Sequence, residues 1–355
     1  MAKNESSCQS RLNRVGGQAV LEGVMMKAGN HAVTTCRKED GTLVVVDDSF
    51  VSVKTKYKIL DLPIIRGVVN FIEMMILSVK TLGASADAMG LEEEEPTKFE
   101  KWLKEKLHID ITAFVMIVSV ILGLALSVFL FLFLPIWISA GINFVLNFFF
   151  GVVMGPMITA VVEGLIKMTV FISYLALTSL MPEIKRTFMY HGAEHKSIAC
   201  FEAGDELTPE NAKKHKRFHP RCGTSFMFFM ILLGIFAGMI IKNLLPGLET
   251  WAYSLIRLAI LPLVMGIGYE FIRFAGKHDN VVTRALSAPG LWVQRITTKE
   301  PTEDMLEVAI TSLKCALRDE FDEFYEFFEA KPWEPAPEES AEVEEATDEA
   351  VENDA

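Results

Sequence analysis

Two histidines and a glutamate within one helical turn are the residues whose types and spacing best fit metal chemistry. The segment Tyr190–Lys196 reads YHGAEHK and contains His191, Glu194 and His195. On a helix, residues i and i+4 project from the same face, so both imidazoles can bind one metal ion. Glu194 can then act as a general base, as in the H-x-x-E-H signature of inverted zinc peptidases. The pattern predicts a metal site with a catalytic carboxylate.

Further ligands are available in the polar segment that follows. Glu202 lies close behind the two histidines, and the sequence HPRCG supplies His219 and Cys222. Pro220 disfavours helix at the preceding residue, so His219 and Cys222 should lie on a turn. A mixed nitrogen and sulfur ligand set favours Zn²⁺ over Mg²⁺, so we expect a divalent transition metal, zinc. The expected metal ligands are His191, His195, His219, Cys222 and Glu202.

The composition indicates that these residues belong to a polytopic membrane protein. Of 355 residues, 51% are hydrophobic, and the mean hydropathy is +0.30. Such values exceed those of ordinary soluble domains. Four apolar segments are long enough to cross a bilayer: 112–139, 157–181, 224–245 and 251–275. The segment 142–155 is either an interfacial turn or a helical extension, and 62–86 reads as a charged, amphipathic interfacial helix.

Basic residues predict the orientation of these spans. Lysines and arginines precede the first span, fill the connector 182–223 and follow the last span, whereas 140–156 and 246–250 have none. The positive-inside rule therefore predicts a multi-pass protein with both termini and the connector in the cytosol. The alternative for the histidine-rich connector is contact with anionic lipid headgroups. The lipid bilayer is thus an expected partner, and a homo-oligomer or a membrane-protein partner stays open.

The remaining charge and cysteine patterns argue against a nucleic-acid-binding protein and against a disulfide-rich protein. The net charge is −12, but residues 334–355 carry ten acids and no base, which leaves about −2 for the rest. No basic face points to nucleic acid, so we expect no nucleic-acid partner. Five cysteines without regular spacing predict no disulfide framework. The N-terminal segment lacks the apolar core of a signal peptide.

The flanking regions are predicted to be cytosolic. Two β-branched runs predict a hairpin at 32–38 and 42–47, and Glu22 is a further carboxylate, structural or site-directed. Thr302 should cap a helix that continues to about Ala330. The aromatic stripe of this helix should pack against the rest of the protein. The fold class is therefore a polytopic α-helical membrane protein of about four transmembrane helices, with a small α+β N-terminal part and a helical C-terminal part. The predicted organisation is 1–61 (N-terminal region), 62–111 (interfacial helix and linker), 112–181 (two spans), 182–223 (connector), 224–275 (two spans), 276–333 (helical region) and 334–355 (disordered acidic tail).

Charged residues inside the spans offer a second functional clue. Glu163 and Lys167 stand four residues apart, a spacing that allows them to pair, and Arg257 lies in the fourth span. Charges in lipid usually face a partner or a water-filled cavity. We expect a polar cleft that opens toward the connector.

Five separated motifs resemble one family. These motifs are GGQAVLEGVMM (16–26), LPIIRG (62–67), YHGAEHK (190–196), HPRCGTSF (219–226) and APGLWVQRITTKEP (288–301). Together they resemble the YqhQ-like family of uncharacterised bacterial membrane proteins, over residues 13–318. The resemblance implies a bacterial inner-membrane protein and a metal-dependent enzyme. It carries that expectation onto His191, Glu194, His195, His219 and Cys222.

Three functions are compatible with these patterns. The first is a metal-dependent hydrolase of unknown substrate, with Glu194 activating water at the cytosolic membrane surface. The second is a non-catalytic scaffold or regulator in which a structural metal joins two span ends. The third is a transporter that uses the charged residues inside the spans, although the sequence shows no internal repeat.

Overall fold

The computed structural model describes residues 11–12, 14–89, 111–219, 222–275 and 281–328. Four strands come first: β1 (Val15–Val20), β2 (Gly23–Ala28), β3 (His31–Arg37) and β4 (Leu43–Ser49). The helices are α1 (Val53–Lys56), α2 (Ile65–Ala88), α3 (Ile111–Val128), α4 (Leu134–Phe150), α5 (Pro156–Thr178), α6 (Pro182–Ala203), α7 (Pro209–Lys214), α8 (Gly223–Leu244), α9 (Thr250–Ala259), α10 (Leu261–Ala275), α11 (Val281–Thr297), α12 (Glu303–Ala316) and α13 (Asp322–Phe327). The predicted acidic tail 334–355 lies outside the described residues.

The strands form one antiparallel sheet in the order β1-β2-β3-β4. The predicted hairpin is confirmed as β3–β4, with Arg37 opposite Leu43. Strands β1 and β2 extend it, and their two-residue turn places Glu22 at a positive φ of 48°. The sequence did not predict β1 and β2, because two glycines and side chains buried on both faces obscure the alternation expected of a half-exposed strand.

Helices cover both faces of this sheet. Helices α6 and α12 pack on one face, whose main buried side chains are Val24, Met26, Val33, Tyr190, Phe201, Leu306 and Leu313. On the other face, the C-terminal half of α2 contributes Leu77 to a smaller cluster with Val20 and Met25. Helix α6, which carries His191 and His195, is therefore part of a compact α+β layer.

Helix α2 joins this layer to the apolar helices. Its C-terminal half hydrogen-bonds β1, where Gln18 Nε2 donates to Thr81 Oγ1 over 2.6 Å. Its N-terminal half packs on α10, where Gly67 lies close to Gly266 and an ion pair joins the two helices. Helix α2 is long and apolar enough to span a membrane, and its C-terminal half packs on the sheet.

Four helical stretches within the described residues are long and apolar enough to cross a membrane: Ile65–Ala88, Val118–Phe150, Pro156–Thr178 and Phe226–Leu244. The second runs through a π-helical segment, Phe129–Phe133, and ends at Gly151 with a φ of 64°. Most of the segment 142–155 is therefore a helical extension. The predicted span at 251–275 consists of two helices, α9 and α10, which meet at a bend of 46° just before Pro262 and are compatible with one broken span. The chain is thus mostly helical, with apolar helices compatible with a membrane protein.

One predicted helix end also needs correction. Thr302 does cap α12, accepting from the Met305 amide over 3.4 Å, but the helix ends at Ala316 rather than near Ala330. Arg318 instead turns back to bind Asp47 of β4 over 3.1 Å. The aromatic stripe nevertheless packs on the main core, as predicted, with Phe321, Phe324, Tyr325 and Phe328.

Candidate metal centre

Helix α6 carries the two histidines on one face. Pro182 occupies its first turn, where a missing amide hydrogen has no consequence, and Gly204 ends it with a φ of 80°. The ring centroids of His191 and His195 lie 4.4 Å apart. The i, i+4 spacing therefore brings the two imidazoles together, as the sequence predicts.

His191 is oriented by the end of α11. Its Nδ1 lies 2.8 Å from the Thr297 carbonyl oxygen, so Nδ1 donates and Nε2 keeps a free lone pair. The close approach depends on Gly192, where an added Cβ would lie 2.0 Å from the Lys299 carbonyl oxygen. The Lys299 amide in turn donates to the Phe188 carbonyl over 2.8 Å. Gly192 therefore allows the segment that follows Thr297 to pack closely on α6.

His195 is oriented by the loop after α7. Its Nδ1 lies 2.6 Å from the Arg217 carbonyl oxygen, which again leaves Nε2 free. Burial lowers the pKa of His195, so the ring stays neutral near neutral pH, the form that binds metals. Glu300 holds this loop in place by binding Arg217 over 3.0 Å and the buried Lys196 over 2.5 Å. Both rings thus share one tautomer, set by main-chain carbonyls.

Cys222 completes a converging set of three donors. Its Sγ lies 3.3 Å from His191 Nε2, and Thr224 Oγ1 donates to the sulfur over 3.4 Å. Ligand atoms of His191, His195 and Cys222 all lie within 4.8 Å of one another. Zn–S and Zn–N bonds of about 2.3 and 2.0 Å at a tetrahedral angle separate sulfur and nitrogen by about 3.5 Å. The donor set therefore fits zinc in both chemistry and spacing.

His219 and Glu202 lie beside this set and form a pair of their own. His219 Nε2 is 3.4 Å from Glu202 Oε2, and both side chains are largely buried. The His219 ring centroid lies 5.7 Å from that of His195. Among the described residues, neither side chain joins the three converging donors. The structure thus brings three of the five expected ligands together and places two at the border.

Gln294 of α11 holds the loop that carries His219, and the sequence did not single it out. The side chain is fully buried. Its Oε1 accepts from the His219 amide over 2.8 Å, and its Nε2 donates to the His219 carbonyl over 2.7 Å. A glutamine between Trp292 and Arg295 on an amphipathic helix looks like a surface residue, so only the tertiary contact reveals it.

Glu194 contacts the sheet next to the histidines, and its carboxylate is not one of the three converging donors. Its Cγ would lie 3.1 Å from a Cβ added at Gly17 of β1, and its Oε2 is buried with no hydrogen-bond partner among the described residues. Burial raises the pKa of Glu194 to about 7, while the nearby His191 opposes this shift. An unpaired buried carboxylate oxygen is costly to a fold, so its retention needs a reason.

Two further side chains with potential ligand atoms, Glu22 and His215, have other partners. Glu22 binds Arg186, with 2.5 Å between Oε2 and Nη2, and accepts from the Tyr190 hydroxyl over 3.2 Å. It therefore ties the β1–β2 turn to α6. His215 pairs with Asp205 over 2.9 Å near the buried Cys200, and these three donors also lie within 4.8 Å of one another.

Cys200 is buried, whereas Cys222 is partly exposed. Burial, followed by the charge of Asp205, raises the pKa of Cys200 to about 11. Its Sγ lies 3.5 Å from the Glu206 carbonyl oxygen, to which it donates. This second set is therefore held by its own hydrogen bonds, and the first set is the better metal site.

Comparison with known proteins places this site in a family. The family model described as "Protein of unknown function (DUF1385)" matches residues 62–319. The chain is 32% identical over 314 residues to the uncharacterized protein YqhQ of Bacillus subtilis (strain 168), covering 85% of this chain and 92% of that relative. No solved structure gives a significant match. The YqhQ-like resemblance is confirmed, and the chain belongs to the DUF1385 family of proteins of unknown function.

Proposed function

We propose that this chain is a membrane-embedded metal-dependent hydrolase that holds zinc with His191, His195 and Cys222. The observation that carries the proposal is the convergence of three zinc-type donors, with both imidazoles oriented through Nδ1 by main-chain carbonyls. Structural zinc sites fill four protein ligands, whereas catalytic sites use three and leave one position open. Three converging donors therefore favour catalysis.

The environment of the donors supports substrate access. His191 and Cys222 are both partly exposed, while His195 is buried behind them. When bound, zinc supplies Lewis-acid polarisation of a substrate carbonyl or phosphoryl oxygen. The protein's own contribution is to hold both rings in one tautomer and to keep His195 uncharged.

Glu194 is proposed as the general base. It follows His191 by three residues and precedes His195 by one, and its Oε2 has no other described partner. A carboxylate with a free oxygen beside the ligands can accept a proton from the attacking water. The His219–Glu202 pair borders the site and is proposed to orient the substrate.

We further propose that the site lies at the cytosolic surface of a bacterial inner membrane. Helix α6 begins four residues after the apolar helix α5 ends, and α8 begins directly after Cys222. The donors therefore lie where two candidate spans leave the bilayer. The basic residues of 182–223 support a cytosolic position for this side and for both termini.

Metal content by mass spectrometry tests the proposal on detergent-purified protein. Wild type is expected to retain about one zinc per chain, and Cys222→Ala and the double variant His191→Ala/His195→Ala are expected to lose it. His215→Ala, from the second donor set, is the matched control and should keep the metal. Folded wild type that retains no metal, or a Cys222→Ala variant with full metal content, would refute the ligand set.

A hydrolase screen separates catalysis from the scaffold alternative. Chromogenic esters, amides and phosphodiesters are assayed with wild type, with chelator-treated protein and with Glu194→Gln. Glu194→Gln should retain zinc and lose about 10²–10⁴-fold in rate, the usual contribution of a general base. If Glu194→Gln is fully active, the assigned role is wrong. His219→Ala that loses zinc would instead indicate four ligands and a structural metal.

A further inference from the structure

A buried cluster of charged residues lies between α5, α8 and α9, far from the histidines. Glu163 is 2% exposed and binds two cations, Lys242 and Arg257, the latter over 3.1 Å. The Tyr253 hydroxyl also donates to Glu163 Oε2 over 3.1 Å. One carboxylate thus already has three partners. The expected pairing of Glu163 with Lys167 is replaced by pairing with other helices.

Lys167 lies one turn further along α5 and forms no hydrogen bond or ion pair with any described residue, although Glu163 attracts it at longer range. Its ammonium and the Arg257 guanidinium both border Gly234, where an added Cβ would lie 3.9 Å from Nζ and 3.7 Å from Nη2. The cluster has three basic side chains and one carboxylate, so its formal net charge is +2. Like charges this close repel strongly in an apolar medium.

One face of the cluster is bordered by a glycine of α8. Gly234 presents no side chain to Lys167 and Arg257, and the nearest side-chain atom to its added Cβ is 3.7 Å away. The Arg257 Nη2 donates to the Gly234 carbonyl over 3.0 Å, which fixes the guanidinium at this face. Helix α9 ends shortly after Arg257 at the bend before α10, and interrupted helices are where membrane proteins place polar sites.

The cluster lies toward the end of the bundle opposite to the metal centre. Lys242 is two residues from the end of α8, which is about 3 Å at 1.5 Å per residue. Glu163 and Arg257 are each seven residues from the starts of α5 and α9, or about 10 Å. Lys167 is about 16 Å along α5. The cluster therefore lies nearer to the α8–α9 loop than to the connector.

We propose that Lys167 and Arg257 bind a phosphate-bearing anion inside the helix bundle, next to the Glu163–Lys242 ion pair. Lysine and arginine are the side chains that pair with phosphate oxygens, and arginine offers a planar pair of donors. One such anion neutralises the excess charge and gives Lys167 the partner it lacks. The phosphate belongs either to a lipid headgroup that enters from the membrane or to a soluble anion. This site is independent of the proposed metal chemistry.

Thermal unfolding in phosphatidylcholine-detergent micelles tests the proposal, because a ligand that binds only the folded state raises Tm. One series adds phosphatidylglycerol and the other adds inorganic phosphate. Lys167→Gln removes the free cation without breaking the ion pairs of Glu163, and Lys167→Arg keeps the charge. The exposed Lys185→Gln on α6 is the matched control for nonspecific anion effects.

One of the two probes should stabilise wild type, Lys167→Arg and Lys185→Gln alike. Lys167→Gln should bind that probe about tenfold more weakly or worse. A response to phosphatidylglycerol alone identifies a headgroup, and a response to phosphate identifies a soluble anion. No response, or an equal response in Lys167→Gln, overturns the proposal. Native mass spectrometry of wild type gives a variant-free readout, in which the absence of any phosphorus-containing adduct would count against the site.

Discussion

Replacing Gln294 with leucine removes the clamp on the His219 main chain. Both hydrogen bonds, of 2.8 and 2.7 Å, are lost from a fully buried position. Each buried group left without a partner costs about 1–3 kcal/mol, so a rigid loop would lose about 2–6 kcal/mol. A loop that moves toward solvent loses less stability but displaces Cys222 from the histidines.

We therefore expect Gln294→Leu to weaken zinc binding about 10–100-fold, as is usual for residues that orient metal ligands. This equals about 1.4–2.8 kcal/mol of binding free energy. The assay is competition with a chromogenic zinc chelator, combined with the Tm of the metal-free protein. An unchanged zinc affinity would refute the positioning role of Gln294.

Gln18→Leu is the matched control for this experiment. Gln18 also donates from Nε2 to a partner distant in sequence, Thr81, but it faces α2 rather than the metal centre. Its loss should lower the Tm and leave the zinc affinity unchanged. Equal weakening of zinc binding in both variants would mean that global destabilisation, and not the clamp, controls the site.

Three further substitutions test other contacts. Gly192→Ala should destabilise the fold by about 1–3 kcal/mol in chemical denaturation, because the added Cβ meets the Lys299 carbonyl at 2.0 Å; wild-type stability would contradict this. Burial opposes ionisation of Glu300, but hydrogen bonds from its two cationic partners lower its pKa below 4.5. Because the Glu300 side chain is 58% exposed, its ionised form stabilises the fold by only about 0–1 kcal/mol. The folded pKa lies below 4.5, so this stabilisation is complete above pH 4.5 and is lost as the pH falls through the folded pKa. Glu300→Gln should accordingly show a shallower loss of Tm in acid than wild type, and parallel curves would contradict the assignment. Thr302→Ala should lower the unfolding free energy by about 1 kcal/mol through loss of the α12 cap, while an unchanged midpoint in urea would show that water replaces it.

The sequence identifies the candidate metal ligands, but it cannot decide which of them converge in the fold. Local spacing is enough to place His191 and His195 on one helix face, and the sequence proposed Cys222 from its position before an apolar segment. It could not separate Cys222 from His219, because that distinction depends on how the main chain at His219 is held. Gln294, 75 residues away, holds it, and no local pattern encodes such a contact.

The same limit applies to the fold. Long apolar runs and the Thr302 cap are local signals, and the structure contains the corresponding helices. Helix α12 ends early because Arg318 reaches Asp47 on a strand near the N-terminus, although the aromatic periodicity continues beyond that point. Strands β1 and β2 were missed because their neighbours cover both faces of the sheet. In each case a tertiary contact overrides the local pattern.

The acceptors that orient the two imidazoles are main-chain oxygens, and this has a consequence for mutational scanning. Substitution at Thr297 or Arg217 leaves the carbonyl in place, so a scan should score both positions as tolerant for metal binding. The sensitive positions should instead be those that set the course of the backbone, Gly192 and Gln294. Tolerance maps of this protein would therefore conceal two of the groups closest to its histidines.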